Sequence, residues 1–231
     1  MKKKSYALFL FRGQPTHNGH IGLIMKAIKD FDEVLLLVGS ADKNNVRNPI
    51  PIELRLRLIT EALKDIYGGD PNSKVKIFTA SVDEPFIDIP KEDLDKYEEN
   101  DVKIVKIVPL NDLSDESHND YEWGWYLYAN VVKHIKSAYF TMFYSDGFEN
   151  IMSWFPSFIR NKFISFNLFA REATENNLSA TKVRNYIMKK NMEALKKSVP
   201  ACVYDNVTLI RHYINCTIKA AKKEAKMANR E

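Results

Sequence analysis

Tyr6-Ala7-Leu8-Phe9-Leu10-Phe11 is an unbroken apolar run, the pattern of a strand covered on both faces in a parallel sheet. A polar stretch from Arg12 to Gly19 follows. Then Ile21, Ile24, Met25 and Ile28 recur at helical spacing and form one apolar face that ends near Asp30. The next apolar run is Val34 to Val38. Strand, loop, helix and strand in that order imply parallel pairing through a right-handed crossover. The alternation continues with a loop at 39–51 and a helix over about 52–66 that carries Leu54, Leu58, Ala62 and Leu63. Strands are predicted at 75–79 and 102–108, a helix over about 122–136, a strand at 138–144, a short helix near 148–155 and a strand near 163–169. Helices then start at Ser179 and at about Ala201, the latter running to the end. This alternation predicts an α/β fold, a doubly wound parallel sheet with a helical C-terminal region. Residues 1–200 read as the α/β domain and 201–231 as a C-terminal helical extension of the same domain.

Composition adds few constraints. A chain of 231 residues, 45% hydrophobic and 28% charged, is long enough to bury a core without covalent staples, and is neither fibrous nor disordered in composition. Two cysteines, Cys202 and Cys216, exclude a disulfide scaffold and a four-cysteine zinc site, and fit a reducing, cytoplasmic compartment. After Met1-Lys2-Lys3-Lys4, Arg12 cuts the apolar run short of a signal-peptide core. No other uncharged run approaches the ~18 residues of a membrane span, so no membrane association is expected. The net charge of +4 is too small to imply nucleic acid. Its distribution is uneven: residues 83–101 hold nine acidic and two basic side chains, and 217–231 hold five basic and two acidic ones. Both stretches read as solvated surface, the first as an excursion between elements.

The loop after the first strand carries the chemistry: Arg12-Gly13-Gln14-Pro15-Thr16-His17-Asn18-Gly19-His20, running straight into a helix. Ligands of open α/β sheets bind beyond the carboxyl ends of the strands, where a helix N-terminus offers free N–H groups to an anion. Gly19 permits close approach, and His17 and His20, three apart, are placed to donate to phosphate oxygens and to stabilise a departing pyrophosphate. Neither the Gly-x-Gly-x-x-Gly dinucleotide fingerprint nor a phosphate-binding Gly-x-x-x-x-Gly-Lys-Ser/Thr loop is present, so kinase and P-loop readings lose their main support. A second phosphate-type locus is Leu178-Ser179-Ala180-Thr181-Lys182-Val183-Arg184. Ser179 is a natural N-cap, yet cations follow where a capping box would place Glu or Gln. Cations in a first turn oppose the helix dipole unless an anion sits nearby. Gly39 to Pro49 follows the second strand at the same edge, so Arg47 is in reach of the same cleft.

Taken together, these motifs resemble the nucleotidyltransferases with His-x-Gly-His and Ser/Thr-rich second motifs. Within them they look most like the nicotinamide-mononucleotide adenylyltransferases of archaeal type and the adenylyltransferase half of the Nudix-fused bifunctional enzymes. The family's Gly-Arg-Phe-Gln-Pro-Phe-His-x-Gly-His is similar to Phe11 through His20, its Gly-Ser-Ala and Arg-Asn-Pro to Gly39-Ser40-Ala41 and Arg47-Asn48-Pro49, and its Ile-Ser-Ala-Thr-x-x-Arg to Leu178 through Arg184. Its Asn-Asp-x-x-Trp matches Asn119-Asp120-Tyr121-Glu122-Trp123. Phe11 and Gly13 flank the arginine where the family has Gly and Phe, and Thr16 replaces the second Phe. No Nudix box is visible, so a hydrolase domain is not expected.

The resemblance implies a Rossmann-like nucleotidyltransferase fold and adenylyl transfer from ATP to nicotinamide mononucleotide, giving NAD and pyrophosphate, with Mg²⁺ accompanying ATP. It implies that Arg12, His17, His20 and Arg184 act on the ATP phosphates, with Gln14, Thr16, Gly19, Ser145, Ser179 and Thr181 around ATP. Tyr144-Ser145-Asp146 would border the adenine. Arg47 would share a phosphate, Asn119 would bind the carboxamide, and Trp123 would stack on the cationic nicotinamide ring. No dedicated protein metal site is expected, and a homo-oligomer is. Two alternatives stay open: another transferase of the superfamily acting on nicotinate mononucleotide, pantetheine phosphate or a phospho-alcohol, and an inactive nucleotide-binding regulator.

Overall fold

The computed structural model describes residues 4–113, 119–145, 149–169 and 178–228. Six strands form a single all-parallel sheet: β1 (Tyr6–Phe11), β2 (Glu33–Val38), β3 (Val75–Thr79), β4 (Lys103–Pro109), β5 (Phe140–Ser145) and β6 (Ile164–Phe169), in the order β3-β4-β2-β1-β5-β6. The expected doubly wound α/β architecture is therefore present. Chain order reverses at β1, which pairs with β2 on one side and β5 on the other, and it is at such a switch point that a crevice opens beyond the strand ends. Every residue of β2 is buried, as its Val/Leu run requires of a central strand covered on both faces.

Helices α1 (Asn18–Asp30) and α2 (Ile52–Tyr67) cover one face of the sheet. With them pack α6 (Ala180–Met188), α7 (Met192–Ser198), α8 (Ala201–Asp205) and α9 (Val207–Ala228). Their buried residues, such as Ile24, Ile59, Val183, Leu195 and Ile210, form one core with Phe9, Leu36 and Ile107 of the sheet. The other face packs Leu8, Leu35 and Val108 against α4 (Asp120–Ile135), a 3-10 helix at Glu149–Trp154 and α5 (Ser157–Phe163). α9 buries Ile210, Ile214 and Thr217 in its first half, and the lysines of its second half lie beyond the packed part.

Three helices have no counterpart in the sequence reading. The acidic stretch holds α3 (Lys91–Glu99), which buries no residue and so shows no apolar stripe to read. Glu92 and Asp93 in its first turn suit the positive end of the helix dipole. α5 and α7 have seven residues each, about two turns, too short for a period to emerge. The helix expected from Ala201 is divided into α8 and α9 at Asn206.

Candidate functional site

The loop Arg12–Thr16 leaves β1 through a left-handed turn at Gly13, φ 61°. A Cβ there would lie 3.1 Å from Thr16 Oγ1, which accounts for glycine following the arginine and a small residue standing at 16. His17 is the N-cap of α1, and no acidic residue occupies the first turn of this helix, leaving its positive end free of a competing carboxylate. The His17 and His20 rings stack with centroids 3.7 Å apart. The His17 backbone N–H donates to His20 Nδ1 at 3.4 Å. With Nδ1 accepting, the neutral His20 ring carries its proton on Nε2, which makes that atom a donor.

Arginines gather around this turn. Burial and the nearby Arg47 pull the pKa of Arg12 down, Asp112 opposing. Burial and Arg12 do the same to Arg184. Like charges drawn together are a standing destabilisation that an anion would relieve. Arg184 is held by donation to Gln14 O at 2.7 Å and to Thr181 Oγ1 at 3.2 Å, so α6 is tied to the β1 loop. Ser179 caps α6, its hydroxyl accepting from Lys182 N–H at 3.2 Å.

The structure thus brings Arg12, His17, Gly19, His20, Thr181 and Arg184 to one edge, with Arg47 close enough to act on Arg12. Gln14, expected beside ATP, has its side-chain amide engaged within the protein. Its amide donates to Ile50 O at 3.1 Å and accepts from Ile50 N–H at 2.9 Å, so Gln14 staples the β1 loop to the segment entering α2. Thr16 is 1% exposed and its hydroxyl has no partner among the described residues. Ser145 lies at the carboxyl end of β5, the neighbour of β1, while Asp146 falls outside the described residues.

The β2 and β4 loops close the other side. Ser40 Oγ donates to Asp112 Oδ1 at 3.1 Å, Asp112 N–H to Asp42 Oδ1 at 2.8 Å, and Tyr126 of α4 to Asn111 O at 3.1 Å. Asn119 is the N-cap of α4, its Oδ1 accepting from Glu122 N–H at 3.0 Å, which leaves its NH₂ as the group free to donate. Trp123 is half-buried, with ring neighbours Tyr126 at 5.5 Å and Trp154 at 6.1 Å. Arg47 also borders a groove of about 520 Å³ against Tyr213, Cys216 and Thr217 of α9.

The sequence reading missed Arg55. Its side chain, 0% exposed, donates from Nη1 to Arg12 O and Gly39 O, both at 2.8 Å, and from Nη2 to Ser40 O at 2.9 Å. Burial pulls its pKa down to about 10, with Glu53, Asp112 and Asp42 opposing. The available signal was a cation on the apolar stripe of α2, in register with Ile59 and Ala62.

A parallel sheet with histidines at a helix N-terminus and converging arginines at its switch point defines an α/β protein of nucleotidyltransferase type. Residues 13–186 match the cytidylyltransferase-like family model, and the chain belongs to that family. It is similar to the nicotinamide-nucleotide adenylyltransferases of Pyrobaculum aerophilum, 39% identical over 72 residues, and Methanococcus aeolicus, 37% over 59. These matches cover 31% and 25% of this chain. The chain spans only 39% and 34% of the length of those curated relatives. Among solved structures, the bifunctional NMN adenylyltransferase/ADP ribose pyrophosphatase of Francisella tularensis shares the fold. Its TM-score is 0.59 at 18% identity, over 98% of this chain and 55% of that one.

Proposed function

We propose that the chain transfers the adenylyl group of ATP to nicotinamide mononucleotide, giving NAD and pyrophosphate. The observation that carries this reading is the convergence of Arg12, Arg47 and Arg184 at the start of α1, where the sheet order reverses. The names of the archaeal relatives support the choice of acceptor.

The mononucleotide phosphate, with a second pKa of about 6, is largely dianionic at neutral pH and needs no base to attack the α-phosphorus. Catalysis is then positioning and charge neutralisation. Arg12, Arg184, His17 and the Nε2–H of His20 hold the β- and γ-phosphates and stabilise the leaving pyrophosphate, with Thr16, Gly19, Ser179 and Thr181 around them. Arg47 bridges the two substrates' phosphates, Asn119 donates its NH₂ to the carboxamide, and the Trp123 face receives the nicotinamide ring. Ser145 lies on the adenine side. Among the described residues no three His, Cys, Asp or Glu side chains come together as a metal cage. Mg²⁺ would come with ATP and, when bound, would supply neutralisation of triphosphate charge. We take residues 1–200 and the helices from 201 onward as one functional unit; no described helix is long and apolar enough to cross a membrane.

The test is pyrophosphate release from MgATP, compared across nicotinamide mononucleotide, nicotinate mononucleotide and pantetheine phosphate. The proposal requires the first to give the highest kcat/KM. Preference for pantetheine phosphate would move the chain to another branch of the superfamily.

A further inference from the structure

Arg55 is a cation in the core whose direct partners are carbonyls. Its acidic neighbours Glu53, Asp112 and Asp42 act on it only through space. A buried charge without a paired carboxylate is costly, so something other than core packing accounts for a guanidinium here.

Its three partners lie on two separate loops. Arg12 leads out of β1, and Gly39 and Ser40 lead out of β2. One planar fork therefore fixes the distance and twist between them, which a single ammonium could not do. In a trans peptide the C=O and N–H point in opposite directions. Holding the Arg12 and Gly39 carbonyls on the guanidinium turns the Gly13 and Ser40 N–H groups away from it. Neither N–H has an acceptor among the described residues. Both residues are left-handed, φ 61° and 51°, the backbone form in which N–H groups make anion-binding concavities.

We infer that Arg55 is a positioning residue: it locks the β1 and β2 loops together so that Arg12, Arg47 and these two N–H groups meet one polyphosphate. The inference rests on the nucleotide-binding part of the proposed function, and on the acceptor not at all. Arg55 touches no substrate. It acts through the loops that do.

The experiment compares the full-length wild type with Arg55→Lys and Arg55→Ala, the latter with and without millimolar methylguanidinium. MgATP affinity is read by calorimetry, together with the thermal midpoint, kcat and KM. Arg55→Lys is expected to lower kcat/KM by ~10²-fold, the cost of about 1 Å of misplacement, and to raise the MgATP Kd at least about tenfold. Methylguanidinium should restore MgATP affinity to Arg55→Ala. A purely structural role would instead lower the midpoint and the number of binding-competent molecules, leaving Kd unchanged, and that result overturns the proposal. So does an Arg55→Lys protein that binds MgATP like the wild type. Amide exchange on the wild type keeps the question open to refutation if both variants fail to fold: Gly13 and Ser40 must gain protection when MgATP is added, and no gain overturns the inference. Wild type that binds MgATP but makes no NAD sinks the proposed reaction and leaves this role standing.

Discussion

Gly124, next to Trp123 in α4, allows the closest approach between this helix and the segment it packs on. A Cβ at this position would sit 1.9 Å from the Trp154 carbonyl oxygen, 2.4 Å from its carbon and 3.1 Å from Phe155 N. Ordinary contact begins at 3.4 Å, so Gly124→Ala must part α4 from the 3-10 helix by about 1.5 Å. Helix propensity alone would favour the substitution by about 1 kcal/mol. Overpacking opposes it by about 1–3 kcal/mol or more, and this contact is backbone, with no rotamer to yield, so the upper end applies. The net loss should be about 2 kcal/mol, or roughly 4–8 °C in Tm for a chain of this size. The same movement displaces Trp123, whose ring meets Trp154 at 6.1 Å. The KM for nicotinamide mononucleotide should therefore rise more than kcat falls. Differential scanning calorimetry checks the first effect and steady-state kinetics the second. An unchanged or higher Tm in Gly124→Ala would show that propensity wins and that the α4 contact does not constrain the site.

Other consequences can be checked independently. His20→Ala should lower kcat ~10²-fold, the scale of one lost transition-state donor, with Tm within a degree or two of wild type; an unimpaired rate removes His20 from the mechanism. Trp123→Ala should weaken nicotinamide mononucleotide and leave MgATP affinity alone, as titration of each ligand will tell. His134 is buried, and burial, then Lys133 and Lys106, pull its pKa from 6.5 down to about 4. The unfolded chain therefore takes up this proton first, so the contribution of His134 is complete above 6.5 and is lost as pH falls through about 4. Urea midpoints should fall across that window in the wild type and more shallowly in His134→Gln; equal slopes would mean that another group governs the acid limb.

The strands were legible because a two-faced sheet demands continuous apolar runs, and Tyr6–Phe11 and Glu33–Val38 supply them. The His17/His20 turn was legible for a related reason: its residues are contiguous and sit where strand gives way to helix. Arg55 was hidden because its function is set by carbonyls 15, 16 and 43 positions away, and a local pattern shows only that an arginine interrupts an apolar stripe. The motif places Gln14 beside ATP, and only the fold adds that its amide pairs with Ile50, 36 positions away. The helix in the acidic stretch escaped because α3 buries nothing, so dipole and local pairing, not an apolar face, are what the sequence had to offer there.

Adenylyl transfer is tested by incubating the purified chain with MgATP and nicotinamide mononucleotide and reading NAD through alcohol dehydrogenase, with nicotinate mononucleotide followed in parallel by chromatography. NAD and pyrophosphate should form in equal amounts over many turnovers, with Arg184→Gln nearly inactive. MgATP bound at the arginine cluster with no dinucleotide formed from either acceptor would contradict it.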